Sequence, residues 1–211
     1  MAERRTRGPG AHHEERRAEI ADAVLAIVAE RGLGAVSLTE VAAQAGISPG
    51  RVQHYFPAKR QLLEAAFERG NALSAARIRE KAGSDLEAAD PRLVLTTVLT
   101  ELVPYDAVSE AHMRVRQSFH AFAFAEEAIA ARMRVLYADF HRQMAGLIRR
   151  DQQAGRIDPG LDPHGTALSL VALAEGLAAY VLTGVTPGPV ARDRVLAAVA
   201  DLYRREGRAA G

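Results

Sequence analysis

Residues 37–59, SLTEVAAQAGISPGRVQHYFPAK, constrain this chain more than any other stretch. They hold start signals for two short helices and for the turn between them. Ser37 can N-cap the first helix, and Glu40 three residues later completes a capping box. Ser48 can N-cap the second, with Pro49 at the first helical position, where a missing N–H costs nothing. Gly46 falls where the chain must reverse, a position that favours the left-handed backbone glycine adopts freely. Leu38, Val41, Ala42, Ala45, Ile47, Val52 and Phe56 supply an apolar inner face, leaving Arg51, Gln53, His54, Tyr55 and Lys59 outside. The pattern predicts a helix-turn-helix whose second helix offers hydrogen-bonding side chains to a DNA major groove.

In that second helix Arg51 and Gln53 are the natural base readers. A guanidinium suits guanine O6 and N7, and a carboxamide suits adenine N6 and N7. His54 reaches a base or its sugar, and Gly50 lets the helix N-terminus, capped by Ser48, come close to the duplex. Upstream, a helix over about 14–31 carries Ile20, Val24, Ile27 and Val28 on one face and ends at Gly32. Its charged residues Glu14, Glu15, Arg16, Arg17, Glu19 and Asp22 read as a solvated face. Residues 1–12 form an arm, disordered in isolation, whose Arg4, Arg5 and Arg7 concentrate the basic bias. That arm is either a solvated tail or a contact to phosphate or minor groove.

Beyond Lys59 the pattern stays helical. A long helix over about 60–79 is followed by helices at about 91–103, 107–123, 126–154, 164–184 and 189–206, and no credible strand is found. The expected fold is all-α, with a helix-turn-helix domain at 13–60 and a larger helical domain at 61–211. In the larger domain Met113, Phe119, His120, Tyr137, Phe140 and His141 gather on two successive helices. Adaptable apolar groups with a few polar ones suit a small-molecule pocket, although the same stripe also describes an ordinary core. The last two helices carry more apolar residues than one core face needs, and Ala172, Gly176 and Ala179 allow close backbone approach. Pairing with a second copy in a four-helix bundle would cover them; the core of a monomer is the alternative.

Several function classes are excluded or weakened by what the sequence lacks. It has no cysteine, hence no disulfide, thiol nucleophile or Cys-ligated metal. HExxH, Glu-x-x-His, Walker A and GxGxxG patterns are absent, so no cofactor, no metal and no catalytic residue is expected. The longest apolar-rich segment, 168–182, is interrupted by Ser169, Glu175 and Gly176, and no secretion signal opens the chain. A soluble cytoplasmic protein without a membrane partner is the expectation. A helical enzyme or a scaffold protein remains an alternative class, but either leaves the outward set on the second helix without a purpose.

The order of these pieces resembles the TetR family of bacterial transcriptional regulators. The resemblance is carried by Ala29-Glu30-Arg31-Gly32, by Val36-Ser37-Leu38-Thr39-Glu40-Val41-Ala42, and by Ala45-Gly46-Ile47-Ser48. Gly50 to Lys59 and then Leu62-Leu63 continue it, over about residues 14–68. It implies that Thr39, Tyr55 and Lys59 contact DNA, mostly at phosphates. Gln53 departs from the tyrosine often found there, so this chain's base contacts are its own. The C-terminal half resembles the BetI-like branch through Met113-Arg114-Val115-Arg116, Leu136 to Phe140, Ala154 to Ile157, Asp162-Pro163-His164 and Ala172 to Leu177. That similarity implies a ligand-binding and dimerisation domain. The expected partners are a double-stranded DNA operator, a small-molecule effector and a second copy of the chain, with repression the family's commoner mode.

Overall fold

The computed structural model describes residues 9–203, and among these the only regular structure is helical. Arg4, Arg5 and Arg7 lie outside the described residues. Two compact units divide between Leu73 and Ser74. That division falls inside one long helix, α4 (Lys59–Ala82), rather than at its start, where the sequence placed the domain boundary.

The first unit begins with α1 (Pro9–Arg31), which is already helical at Pro9, ahead of the start near residue 14 that the sequence suggested, so residues 9–12 of the expected arm are helical. A short 3-10 turn (Leu33–Ala35) leads to α2 (Leu38–Gln44) and α3 (Pro49–Tyr55). Ile20, Val24, Ile27 and Val28 of α1 are fully buried, as are Val36, Val41, Val52, Phe56 and Leu62. Burying side chains of this size contributes roughly 1.5–3 kcal/mol each before entropy is counted. Asp22, expected in solvent, accepts two bonds from Arg69 of α4 at 2.7 and 2.9 Å.

The second unit contains the end of α4, then α5 (Pro91–Glu101), α6 (Ala107–Ala123), α7 (Glu127–Gln153), α8 (Pro163–Leu182) and α9 (Gly188–Tyr203). The expected end of the last helix, at about 206, lies outside the described residues. Aspartates cap three of these helices. Asp90, Asp106 and Asp162 each accept from backbone N–H groups of the first turn, and proline follows Asp90 and Asp162 directly. Asp106 and Ser109 close a reciprocal box that the sequence pattern did not reveal. The core joins Val94, Leu95, Val98 and Leu99 of α5 to Met144 and Ile148 of α7, Leu170, Val171 and Ala174 of α8, and Val195 and Val199 of α9.

α8 is long and apolar enough to cross a membrane, by length and composition only, which corrects the expectation that no segment comes near that threshold. Its hydropathy comes from two apolar faces. One is buried through Ala167, Leu170, Val171, Ala174 and Ala178, while the other leaves Leu168, Leu173 and Tyr180 exposed.

Glu101, at the end of α5, is 2% exposed and receives Arg77 Nε at 2.8 Å, Lys81 Nζ at 2.5 Å and the Tyr105 hydroxyl at 2.9 Å. Burial alone pushes its carboxyl up, but the bonds from Lys81, Arg77 and Tyr105 outweigh that and hold it below the usual carboxylate range. A pKa lowered by folding stabilises the fold above the unfolded value and loses that contribution as pH falls through the folded one. Glu101→Ala should therefore destabilise the protein near neutrality by about 2 kcal/mol. That is below the ~3–5 kcal/mol of a fully buried broken pair, because Arg77 and Lys81 are themselves partly hydrated. Urea unfolding of both proteins checks this, and the gap between them should narrow as pH drops below 4.5, the ordinary carboxyl value.

Candidate functional site

In the first unit the predicted reading helix is present with its predicted bounds. The Ser48 hydroxyl accepts the Arg51 N–H at 3.3 Å, and Pro49 occupies the first turn. Gly46 has φ +64, and this left-handed residue brings the Ile47 N–H to the Ala42 carbonyl at 3.0 Å, closing α2 and aiming α3. Ser37 caps α2 by accepting the Glu40 N–H at 3.2 Å. The second half of the expected capping box does not form, because the Glu40 carboxylate pairs with the Arg31 guanidinium. A charge-assisted bond outcompetes a neutral backbone donor for that carboxylate.

Thr39, Ser48, Gly50, Arg51, Gln53, His54 and Lys59 are all exposed, while Val52 and Phe56 hold α3 to the unit's core. A side-chain carbon built on Gly50 meets no atom within 4 Å, so nothing inside the chain requires glycine there. Tyr55 differs from the other outward residues. It is half-buried, its ring lying 4.8 Å from His13 and meeting the edge of His54 at 5.4 Å. His13 of α1 thus packs against an aromatic at the end of α3.

Arg17 also departs from expectation. Instead of facing solvent, it donates to the Tyr55 carbonyl at 3.0 Å and lies 4.3 Å from the Phe56 ring centroid. A cation at a helix C-terminus satisfies an orphan carbonyl and complements the dipole. Spacing offered a signal: Arg17 lies three and seven residues before the buried Ile20 and Val24, hence on the inner face of α1.

In the second unit, part of the predicted pocket set comes together and part does not. His120 of α6 and Tyr137, Phe140 and His141 of α7 form a run of ring contacts, with centroids 5.6 Å apart for His120–Tyr137, 5.8 Å for Tyr137–His141 and 6.4 Å for Phe140–His141. His164 of α8 adds an edge contact to His141 at 6.2 Å. Met113 and Phe119, by contrast, are buried at 1% and 4% exposure, as core residues are.

Two residues absent from the predicted set organise this region. The Arg116 side chain of α6 and the Glu175 side chain of α8 are 8% and 14% exposed. Arg116 donates to Glu175 Oε1 through Nε at 3.0 Å and through a terminal nitrogen at 2.7 Å, and that terminal nitrogen also reaches the Tyr137 hydroxyl at 3.0 Å. The Tyr137 hydroxyl donates to the same Glu175 oxygen, and His120 Nε2 lies 2.8 Å from that hydroxyl. Burial keeps the Tyr137 phenol well above its ordinary value. Burial likewise holds His120 below its ordinary value, with Glu175 opposing and Arg116 reinforcing the shift, so its ring is neutral. One turn before Arg116, His112 is pushed down to about 3 by burial and by the Arg116 and Arg77 charges. No group of three or more His, Cys, Asp or Glu able to hold a metal occurs among the described residues.

Comparison with known proteins identifies this arrangement. A profile described as "Bacterial regulatory proteins, tetR family" matches residues 20–66, and one described as "BetI-type transcriptional repressor, C-terminal" matches residues 91–207. The chain belongs to the TetR family of bacterial transcriptional regulators. Its helix-turn-helix is therefore a DNA-binding element, and its relatives are regulators, not enzymes. It is 29% identical over 184 residues to the HTH-type transcriptional regulator PksA of Bacillus subtilis, covering 87% of this chain and 85% of that one. The solved structure of a TetR-family transcriptional regulator from a Rhodococcus species is 29% identical, with a TM-score of 0.74 and coverage of 90% and 99%. A transcriptional regulator from Saccharomonospora viridis, solved in complex with choline, shares the fold at 24% identity and TM-score 0.75, with coverage of 89% and 96%.

In this TetR-family regulator the Arg17 interactions should be measurable. Arg17→Ala should destabilise the protein by about 1–2 kcal/mol, because it removes a charged hydrogen bond and a cation–π interaction together. Arg17→Lys should recover less than half, because an ammonium cannot stack on Phe56 and reach the Tyr55 carbonyl with one planar group. Thermal unfolding of the three proteins decides it, and an unchanged Arg17→Ala midpoint would show the interaction to be energetically silent.

Proposed function

We propose that this regulator is a homodimeric repressor that binds a palindromic operator in the cytoplasm and releases it when a small molecule occupies the larger domain. The observation that carries the reading is the α3 surface, where Arg51, Gln53 and His54 stand exposed beside Thr39, Ser48, Gly50 and Lys59. Residues 13–60 would read DNA. Arg51 and Gln53 would contact bases, and Thr39, Tyr55 and Lys59 would anchor to phosphates. Residues 61–211 would carry the effector site and the dimer interface.

The exposed apolar face of α8 supports pairing. Leu168, Leu173 and Tyr180 flank Gly176, where an added side-chain carbon would meet nothing within 4 Å of the same chain. Val190 extends the exposed apolar surface onto α9. A second copy packing its own α8 and α9 here would give a dimer with two reading helices, and a palindromic operator would need those helices about 34–36 Å apart, in successive major grooves. That a protein of the same fold holds choline supports effector binding in this architecture. The His120–Tyr137–Phe140–His141 region is the proposed place for it, with Met113 and Phe119 forming the packed wall behind. An effector favouring a dimer with differently spaced reading helices would release the operator through its differential affinity for the two states.

Selection of bound fragments from random DNA by the purified chain tests this reading, and failure to enrich any palindrome would overturn it. On the selected operator, Gln53→Ala should relax preference at one position per half-site, costing about 1–3 kcal/mol, with non-specific binding almost unchanged. Lys59→Ala should weaken all sequences alike and lower the salt slope by about one unit. Binding to every single-base operator variant, measured at several salt concentrations, separates the two roles. Gly176→Leu should leave the folded chain intact, since the space is open within it, yet shift light scattering towards monomer. A full-strength dimer would remove Gly176 from the interface.

A further inference from the structure

The geometry points to an uncharged hydrogen-bond donor as the effector, an alcohol, phenol or amide with an apolar body, that donates to His120 Nδ1, with Glu175 Oε2 open to a second hydrogen where the effector carries one. This inference rests on the effector region proposed above and adds the chemistry of what enters it.

The Tyr137 hydroxyl has a single proton to give. Three groups surround that oxygen: an Arg116 nitrogen, the Glu175 carboxylate and His120 Nε2. Arginine can only donate, and an ionised carboxylate can only accept. The tyrosine proton therefore goes to the Glu175 carboxylate, which can only accept. The hydroxyl then has only acceptor capacity left for His120, so His120 Nε2 carries the imidazole hydrogen. Because the ring is neutral, its other nitrogen, Nδ1, has a lone pair and no hydrogen.

A similar accounting applies to Glu175. Both Arg116 bonds and the Tyr137 bond converge on Oε1. Oε2 receives no hydrogen bond from the described residues, nor does His120 Nδ1. Among the described residues no fully buried side-chain nitrogen or oxygen lacks a partner, so both atoms remain reachable from outside the protein matrix. The Glu175 side chain is nonetheless only 14% exposed, which makes an unmatched carboxylate oxygen costly. Two acceptors thus stand open at one polar cluster, beside the rings of Tyr137, Phe140 and His141.

Charge then selects among donors. Arg116 already neutralises Glu175, so the cluster offers no net attraction to a cation. A quaternary ammonium group has no N–H to give Oε2. A carboxylate would face two acceptors and be repelled by Oε2. A neutral hydroxyl or N–H can give its hydrogen to His120 Nδ1, and a primary amide a second one to Oε2, without bringing a charge into a dehydrated region, and an apolar or aromatic body can lie against the three rings.

The test is protein-observed NMR on the full chain with a matched set of ring compounds: benzyl alcohol, 4-ethylphenol and benzamide as neutral donors, benzyltrimethylammonium, and benzoate. Binding is read at the His120 ring resonances, assigned by their loss in His120→Phe. The neutral donors should shift those resonances, and His120→Phe should weaken their binding about tenfold. The charged compounds should leave the resonances unmoved. Stronger shifts from benzyltrimethylammonium or benzoate overturn the inference. So does unchanged donor binding in His120→Phe, or silence of the His120 ring towards all five compounds. The operator selection is run on the same preparations: a chain that selects a palindrome but fails here loses only the donor inference, and one that selects none loses the regulator reading.

Discussion

The second unit is organised by one ion pair that its apolar core must accommodate. Arg116 of α6 and Glu175 of α8 are withdrawn from water, and neither charge could persist there alone. Each therefore dictates where the other must be, and the Tyr137 hydroxyl brings α7 into the same arrangement. Sliding any of the three helices by one residue would swing its member of the triad by about 100° and strand a buried charge. Such a pair contributes less to stability than to register. Apolar side chains such as Ile148 and Val171 could be repacked with modest loss, whereas the triad tolerates only one alignment.

What could be read from the sequence follows from how local each interaction is. The reading helix was legible to its ends because Ser48, Pro49 and Gly46 act within a few residues of where they stand, and the bounds of α5 and α8 were nearly so because Pro91 and Pro163 punctuate the chain. The Arg116–Glu175 pair joins residues 59 positions apart. From the sequence alone, Glu175 is only an interruption in an apolar run, and Arg116 one arginine among many. The same holds for Arg17 and Asp22, whose partners Tyr55 and Arg69 lie 38 and 47 residues away. The aromatic stripe was half legible: periodicity gathered these residues on α6 and α7, but it could not separate the buried Met113 and Phe119 from His120 and Tyr137, which join the polar cluster.

α8 illustrates a conflict between two physical demands on one helix. Its inner face must be apolar to join the core, yet Glu175 sits between the buried Val171 and Ala178 because Arg116 is there to receive it. Its outer face keeps Leu168, Leu173 and Tyr180 in water, which a lone folded chain has no reason to do. High overall hydropathy is the result, and for a helix with one buried and one exposed apolar face it carries no information about lipid.

The chain contains no tryptophan and five tyrosines. Its near-ultraviolet spectrum is therefore a tyrosine spectrum, and one of those tyrosines, Tyr137, has its hydroxyl locked against a carboxylate and its ring against two imidazoles. Burial keeps that phenol protonated well beyond the ordinary range, so alkaline titration would leave its absorbance unchanged while more accessible phenols ionise. The polar cluster of the second unit thus carries its own optical label. Near-ultraviolet circular dichroism can report its rearrangement in the unmodified protein, without a dye, an isotope or an engineered chromophore.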